Sequence, residues 1–193
     1  LNHFIYNSDR FLPVYTACDE QGYIVKSARF GCAWFLGHVA RLKITPPEQR
    51  EEALKELQKI YDDRRAPSTL KTIVEGSLAR AGIVDRCRYT LMQLDSKNTK
   101  ERADACWSVG FFSDNQRLIS VAVTIAIDGL DTASTPAQAQ YLHALRHLYQ
   151  STESSRAKQR ILYAVGKYNL TESPNFIVSR NAREIIAVSK EIK

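Results

Sequence analysis

The sequence predicts an all-α fold, with a short N-terminal β-hairpin as the one open alternative. Three observations carry the prediction. Helix starts are marked repeatedly by capping residues and prolines, apolar side chains recur at i, i+3, i+4 and i+7 after each start, and no Pro/Gly/Ser-rich linker divides the chain. The fold expected is therefore one helical domain over 1–193, an irregular bundle or a short solenoid of antiparallel helix pairs.

The elements follow in order. Val14 to Cys18 and Tyr23-Ile24-Val25, separated by Asp19-Glu20-Gln21-Gly22, read as well as a hairpin as they do as helix. A helix is expected over 24–43. Thr45-Pro46-Pro47-Glu48 reads as a capping box with prolines in the first turn, where no amide partner is lost. Ala53, Leu54, Leu57, Ile60 and Tyr61 then share one face. Further helices are expected over 69–81, 84–94, 100–112, 115–128 and 155–168, with Gly82 and Gly129 placed as left-handed C-terminal caps. Ser113-Asp114-Asn115-Gln116 forms another box. Val121, Val123, Ile125 and Ile127 alternate as a strand would, yet no internal partner strand is available, so a buried helix is expected. Thr135-Pro136-Ala137-Gln138 opens a helix with Ala139, Leu142, Leu145, Leu148 and Tyr149 as its stripe. Ser173-Pro174 opens the last, with Val178, Ala182, Ile185, Ser189 and Ile192.

Composition bounds the class of molecule. The 193 residues are 44% hydrophobic and 25% charged, which excludes a collagen, a low-complexity tail and a wholly disordered chain. The four cysteines, Cys18, Cys32, Cys87 and Cys106, are widely spaced, unlike a disulfide scaffold, and favour a reducing, cytoplasmic setting. The chain opens at Leu1 rather than Met, so a fragment or processed product is expected, with an original targeting segment left open. No run approaches the ~20 apolar residues that span a bilayer. The sequon Asn169-Leu170-Thr171 is short enough to arise by chance.

Helix starts near Ser68, Ala103, Gln138 and Ser173 suggest a repeat of about 35 residues, in the range of solenoid units. The stretches Trp107 to Asn115 and Tyr163 to Asn169 resemble the small-residue end of the first helix of a HEAT unit. The resemblance covers 68–193; residues 1–66 do not match, and the second pair lacks the arginine and aspartate pattern of HEAT units. It implies a scaffold whose groove holds a peptide, a partner helix or nucleic acid.

The chemistry-bearing residues give no enzymatic constellation. Cys32 and His38 are a thiol and an imidazole, but six residues along one helix turn them about 240° apart, so they cannot form a nucleophile–base pair. His143 and His147 stand at i, i+4, a spacing that can hold zinc. Ala144 occupies the place of the metalloprotease glutamate, Arg146 would repel a cation, and no third ligand is identifiable. They read as surface histidines, and no metal or cofactor is expected. No GxG or GK[ST] exists to cradle a phosphate. Glu51/Glu52 and Asp62/Asp63 lie on a polar helix side and read as solvated charges.

The basic surplus remains. Net charge is +6, from 27 Lys+Arg against 21 Asp+Glu. Residues 131–193 hold nine basic against five acidic side chains, while 1–66 and 67–130 are each within one charge of balance. Arg156, Arg160, Tyr163 and Lys167 fall at i, i+4, i+7 and i+11, one face of one helix, opposite Ala157, Ile161, Ala164, Val165 and Tyr168. Arg180 and Arg183 on the next helix would extend the patch, with His143 and His147 beside it. Such a ridge suits an acidic or amphipathic protein segment and, as an alternative, nucleic acid. The function expected is a non-enzymatic adaptor, chaperone-like protein or scaffold. Nucleic-acid binding and a cysteine-dependent enzyme using Cys32 are the second and third readings.

Overall fold

A computed structural model describes residues 23–191, apart from 113, 133 and 134. The fold is all-α: among the described residues there is no strand, and nine α-helices carry the structure. They are α1 (Tyr23–Arg41), α2 (Pro47–Asp62), α3 (Ser68–Arg80), α4 (Arg88–Leu94), α5 (Thr99–Val109), α6 (Gln116–Thr132), α7 (Thr135–Ser151), α8 (Ser155–Lys167) and α9 (Phe176–Glu191). A single 3-10 turn, Leu170–Glu172, lies between α8 and α9. The hairpin alternative falls mostly outside the described residues; Tyr23, Ile24 and Val25 are the first turn of α1.

Residues 1–86 and 87–193 form two compact units. In the first, α1, α2 and α3 pack on one another. The small pair Gly37 and Ser77 lets α1 and α3 approach closely, since a Cβ on Gly37 would stand 2.6 Å from the Cβ of Ser77. Helix α2 is amphipathic, burying Ala53 and Leu57 while Glu51 pairs with Lys55 in solvent at 2.8 Å. The expected Thr45 cap is absent. Pro46 stands at the N-cap and Pro47 in the first turn, with no side-chain cap bond. Proline has no N–H, so this helix start has fewer orphan donors for a cap to satisfy. Helix α3 ends in a Schellman motif: Gly82 takes φ +95°, Gly82 N–H donates to the Ala79 carbonyl and Ile83 N–H to that of Leu78, both at 2.9 Å.

In the second unit the six helices pack on one another in pairs. Helix α7 packs between α5 and α9, while α8 packs on α6; α4 lies against α5, and α6 against both α5 and α7. The alternation of valines and isoleucines in α6 proves incidental. Its buried residues include Ile119, Ala122, Val123, Ala126 and Leu130, at helical spacing, and Val121 is exposed. Gly129 is no cap, because α6 continues through it to Thr132. It serves close packing instead: a Cβ there would stand 2.4 Å from the ring of Tyr141, which is fully buried. Helix α4 is shorter than expected and starts after Cys87.

Candidate interaction surface

Helix α8 is set by two local features. Ser154 caps it, its Oγ accepting from the Ala157 N–H at 3.2 Å. Ala157, Ile161, Ala164 and Val165 are buried, so the opposite side is held outward. Arg156, Arg160, Tyr163 and Lys167 are all exposed on that side, Tyr163 to 72%. The predicted ridge therefore exists as one exposed face.

Its charges are differently placed. Arg160 donates from Nη1 to the Thr124 hydroxyl on α6 at 3.1 Å, a neutral partner that leaves its charge uncompensated. Lys167 donates to the Tyr168 hydroxyl at 3.0 Å, and that hydroxyl donates to Asp131. The Tyr168 bond, and after it the Asp131 charge, raise the Lys167 pKa. The outward charge is thus concentrated toward the Arg156 end of the helix.

On α9, Arg180 and Arg183 are both exposed. Arg180 pairs with Glu184 at 3.0 Å, and Glu184 also accepts from Arg146 of α7. Burial pushes the Glu184 carboxyl up, but the two arginines outweigh it and hold it below the usual carboxylate range. Arg183 donates from Nε to the Thr171 carbonyl at 3.1 Å, again a neutral partner.

His143 and His147 are not the surface residues their sequence suggests. They are half-buried in an aromatic cluster with Trp107 and Phe111 of the α5 end. The His143 and His147 rings meet edge to face at 5.0 Å, His143 stacks on Trp107 at 6.5 Å, and Phe111 lies 4.9 Å from His147. Burial, then the Arg146 charge, push His143 down to about 4. Among the described residues no group of three or more His, Cys, Asp or Glu could hold a metal ion. Sequence reasoning missed this cluster because Trp107 of α5 and Phe111 of the turn after it belong to another segment of the chain. Their own i, i+4 spacing was the available signal.

Cys32 is half-buried, and burial raises its thiol pKa, the opposite of an activated thiolate. His38 is committed elsewhere. Its Nδ1 lies 2.7 Å from Arg80 Nη2, so the arginine donates and the imidazole proton sits on Nε2. Its ring stacks on Trp34 at 5.6 Å, and burial together with the Arg80 and Arg41 charges lowers its pKa.

Two further exposed side chains escaped the sequence reading. Phe176 is 74% and Ile177 58% exposed, at the start of α9. Asn175 caps that helix, accepting from the N–H groups of Ile177 at 3.0 Å and Val178 at 3.2 Å. No helix among the described residues is long and apolar enough to cross a membrane. Comparison with protein families, with characterised proteins and with solved structures gives no match to this chain.

Proposed function

We propose that this protein is a non-enzymatic interaction module, an adaptor or scaffold, that holds an acidic segment of a partner protein. The observation that carries the reading is the exposed face of α8, where Arg156 and Arg160 lead along the helix to the outward Tyr163 without a carboxylate between them. Arginine suits the task, because its planar fork binds carboxylates bidentately and a neighbouring tyrosine supplies apolar contact at low entropic cost. A HEAT-like use of the fold, with rigid helices presenting side chains rather than loops, would suit this reading.

Nucleic-acid binding is the second reading, favoured by the exposure of the Tyr163 ring between basic side chains, where a base could stack. Fluorescence anisotropy decides between them, using a labelled glutamate-rich peptide and a labelled single-stranded oligonucleotide of equal charge. The expected result is tighter binding of the peptide, weakened about tenfold or more by Arg156→Glu/Arg160→Glu. Preference for the oligonucleotide, with a steep loss of affinity as salt rises, would establish the second reading instead.

A further inference from the structure

We infer that the outward face of α9 docks an acidic amphipathic helix, laid beside α9 as α9 itself lies beside α7. This rests on the basic-surface reading above and names the partner's form. The inward side of α9 is committed: Val178, Asn181, Ala182 and Ile185 are buried, and Asn181 Nδ2 donates to the Ala139 carbonyl of α7 at 2.9 Å. Phe176, Arg180, Arg183 and Ala187 follow at i, i+4, i+7 and i+11, and all four are exposed. Ile177 adds a second exposed apolar side chain beside Phe176. The face thus reads from an apolar end, through two guanidiniums, to a small residue that permits close approach of another helix.

The side-chain chemistry selects the occupant. Phe176 alone would suit a stacked base as well, but Ile177 beside it offers a base neither stacking nor a hydrogen bond, and the pair together suits the apolar anchors of a protein partner. Arg183 meets only a neutral carbonyl, and Arg180 shares Glu184 with Arg146. Arg180 and Arg146 therefore share one carboxylate and Arg183 has none, and the charge left over calls for acidic residues on the partner. A second copy of this chain, joined through the same face, would set Arg180 and Arg183 against their own like charges.

The test uses two labelled peptides of about five helical turns and identical composition. One places leucines at i, i+3, i+4 and i+7 with glutamates elsewhere; the other scrambles the order so that no apolar stripe forms. Each is titrated against the wild-type chain, Phe176→Ser/Ile177→Ser and Arg156→Glu/Arg160→Glu. The substituted side chains are exposed, so folding should survive, and circular dichroism checks that it does. The expected result is about tenfold tighter binding of the striped peptide, a preference that Phe176→Ser/Ile177→Ser removes while binding of the scrambled peptide is unchanged. Equal binding of the two peptides, or a preference that survives the double substitution, overturns the α9 docking site. If Arg156→Glu/Arg160→Glu leaves both peptides bound, the α8 reading fails and the α9 site stands. No binding of either peptide to the wild-type chain overturns both.

Discussion

Gly129 shows how a single hydrogen atom in place of a methyl positions two helices. The Tyr141 ring lies where a Cβ would be, its nearest atoms 2.4 Å away. The ring cannot retreat freely, since Tyr141 is fully buried and Arg102 Nε donates to its hydroxyl at 3.4 Å. Gly129→Ala should therefore destabilise the protein by ~1–3 kcal/mol, the usual cost of overpacking, even though alanine is the better helix former. Gly166 of α8 is the control, because nothing lies within 4 Å of a Cβ there. Gly166→Ala should stabilise by ~0.5–1 kcal/mol. Urea midpoints of the two variants settle the matter, and loss of stability in both would mean that Gly129 is not special. The sequence shows a glycine near the end of a helical pattern, which is also how a cap looks. Only the position of Tyr141, on another helix, separates the two roles.

At the scale of the element, helix ends were legible at Gly82 and misread at Thr45 and Gly129. Gly82 was expected as a left-handed cap and takes φ +95°. Gly82→Ala should cost about 1 kcal/mol through that backbone conformation alone. Asn98 caps α5, its Oδ1 accepting from Lys100 N–H at 2.9 Å and Glu101 N–H at 3.4 Å, so Asn98→Ala should cost ~1 kcal/mol. Thr45 gives the discriminating case. Its sequence context predicts a cap as strong as any in the chain, whereas Pro46 and Pro47 take the helix start without a side-chain bond. Thr45→Val, which keeps the shape and removes the hydroxyl, should then cost clearly less than Asn98→Ala in the same denaturant assay. A cost as large as that of Asn98→Ala would restore the capping role of Thr45. The α8 face was equally legible, since a period of 3.6 residues is a property of one segment. The faces that depend on two segments were not. His143 and His147 looked polar and free until Trp107 and Phe111 covered them, and Phe176 and Ile177 simply fell off the core stripe of α9.

For the whole molecule, what the sequence could not supply is the pairing of distant helices, and pairing also decides how stability responds to pH. Two half-buried groups of the second unit prefer their neutral forms. Burial pushes Asp104 up to about 6, with Lys100 opposing and Glu101 adding to the shift. Burial and Arg146 push His143 down to about 4. Asp104 is raised above its unfolded value near 3.8, so the folded state holds that proton more tightly and stability falls as pH rises from about 4 through about 6. His143 lies below its unfolded value of 6.5, so its stability is present above 6.5 and lost as pH falls toward about 4. Each displacement is about two pH units, or ~3 kcal/mol, and the two act in opposite directions over the same interval. Between pH 4 and 6.5 their contributions nearly cancel. Removing either group exposes the other. Relative to the wild-type chain, Asp104→Asn should lose stability as pH falls from 6.5 toward 4, and His143→Gln should gain it over the same range. Comparing each variant with the wild type at every pH cancels the background of surface carboxylates, including Glu51 and Glu184, whose lowered pKa values make acid destabilising to all three proteins. Chemical-denaturation midpoints across that range supply the slopes. Parallel pH profiles for the three proteins would show that neither group is held neutral by the fold, and with it that the α5 and α7 packing around His143 is looser than described.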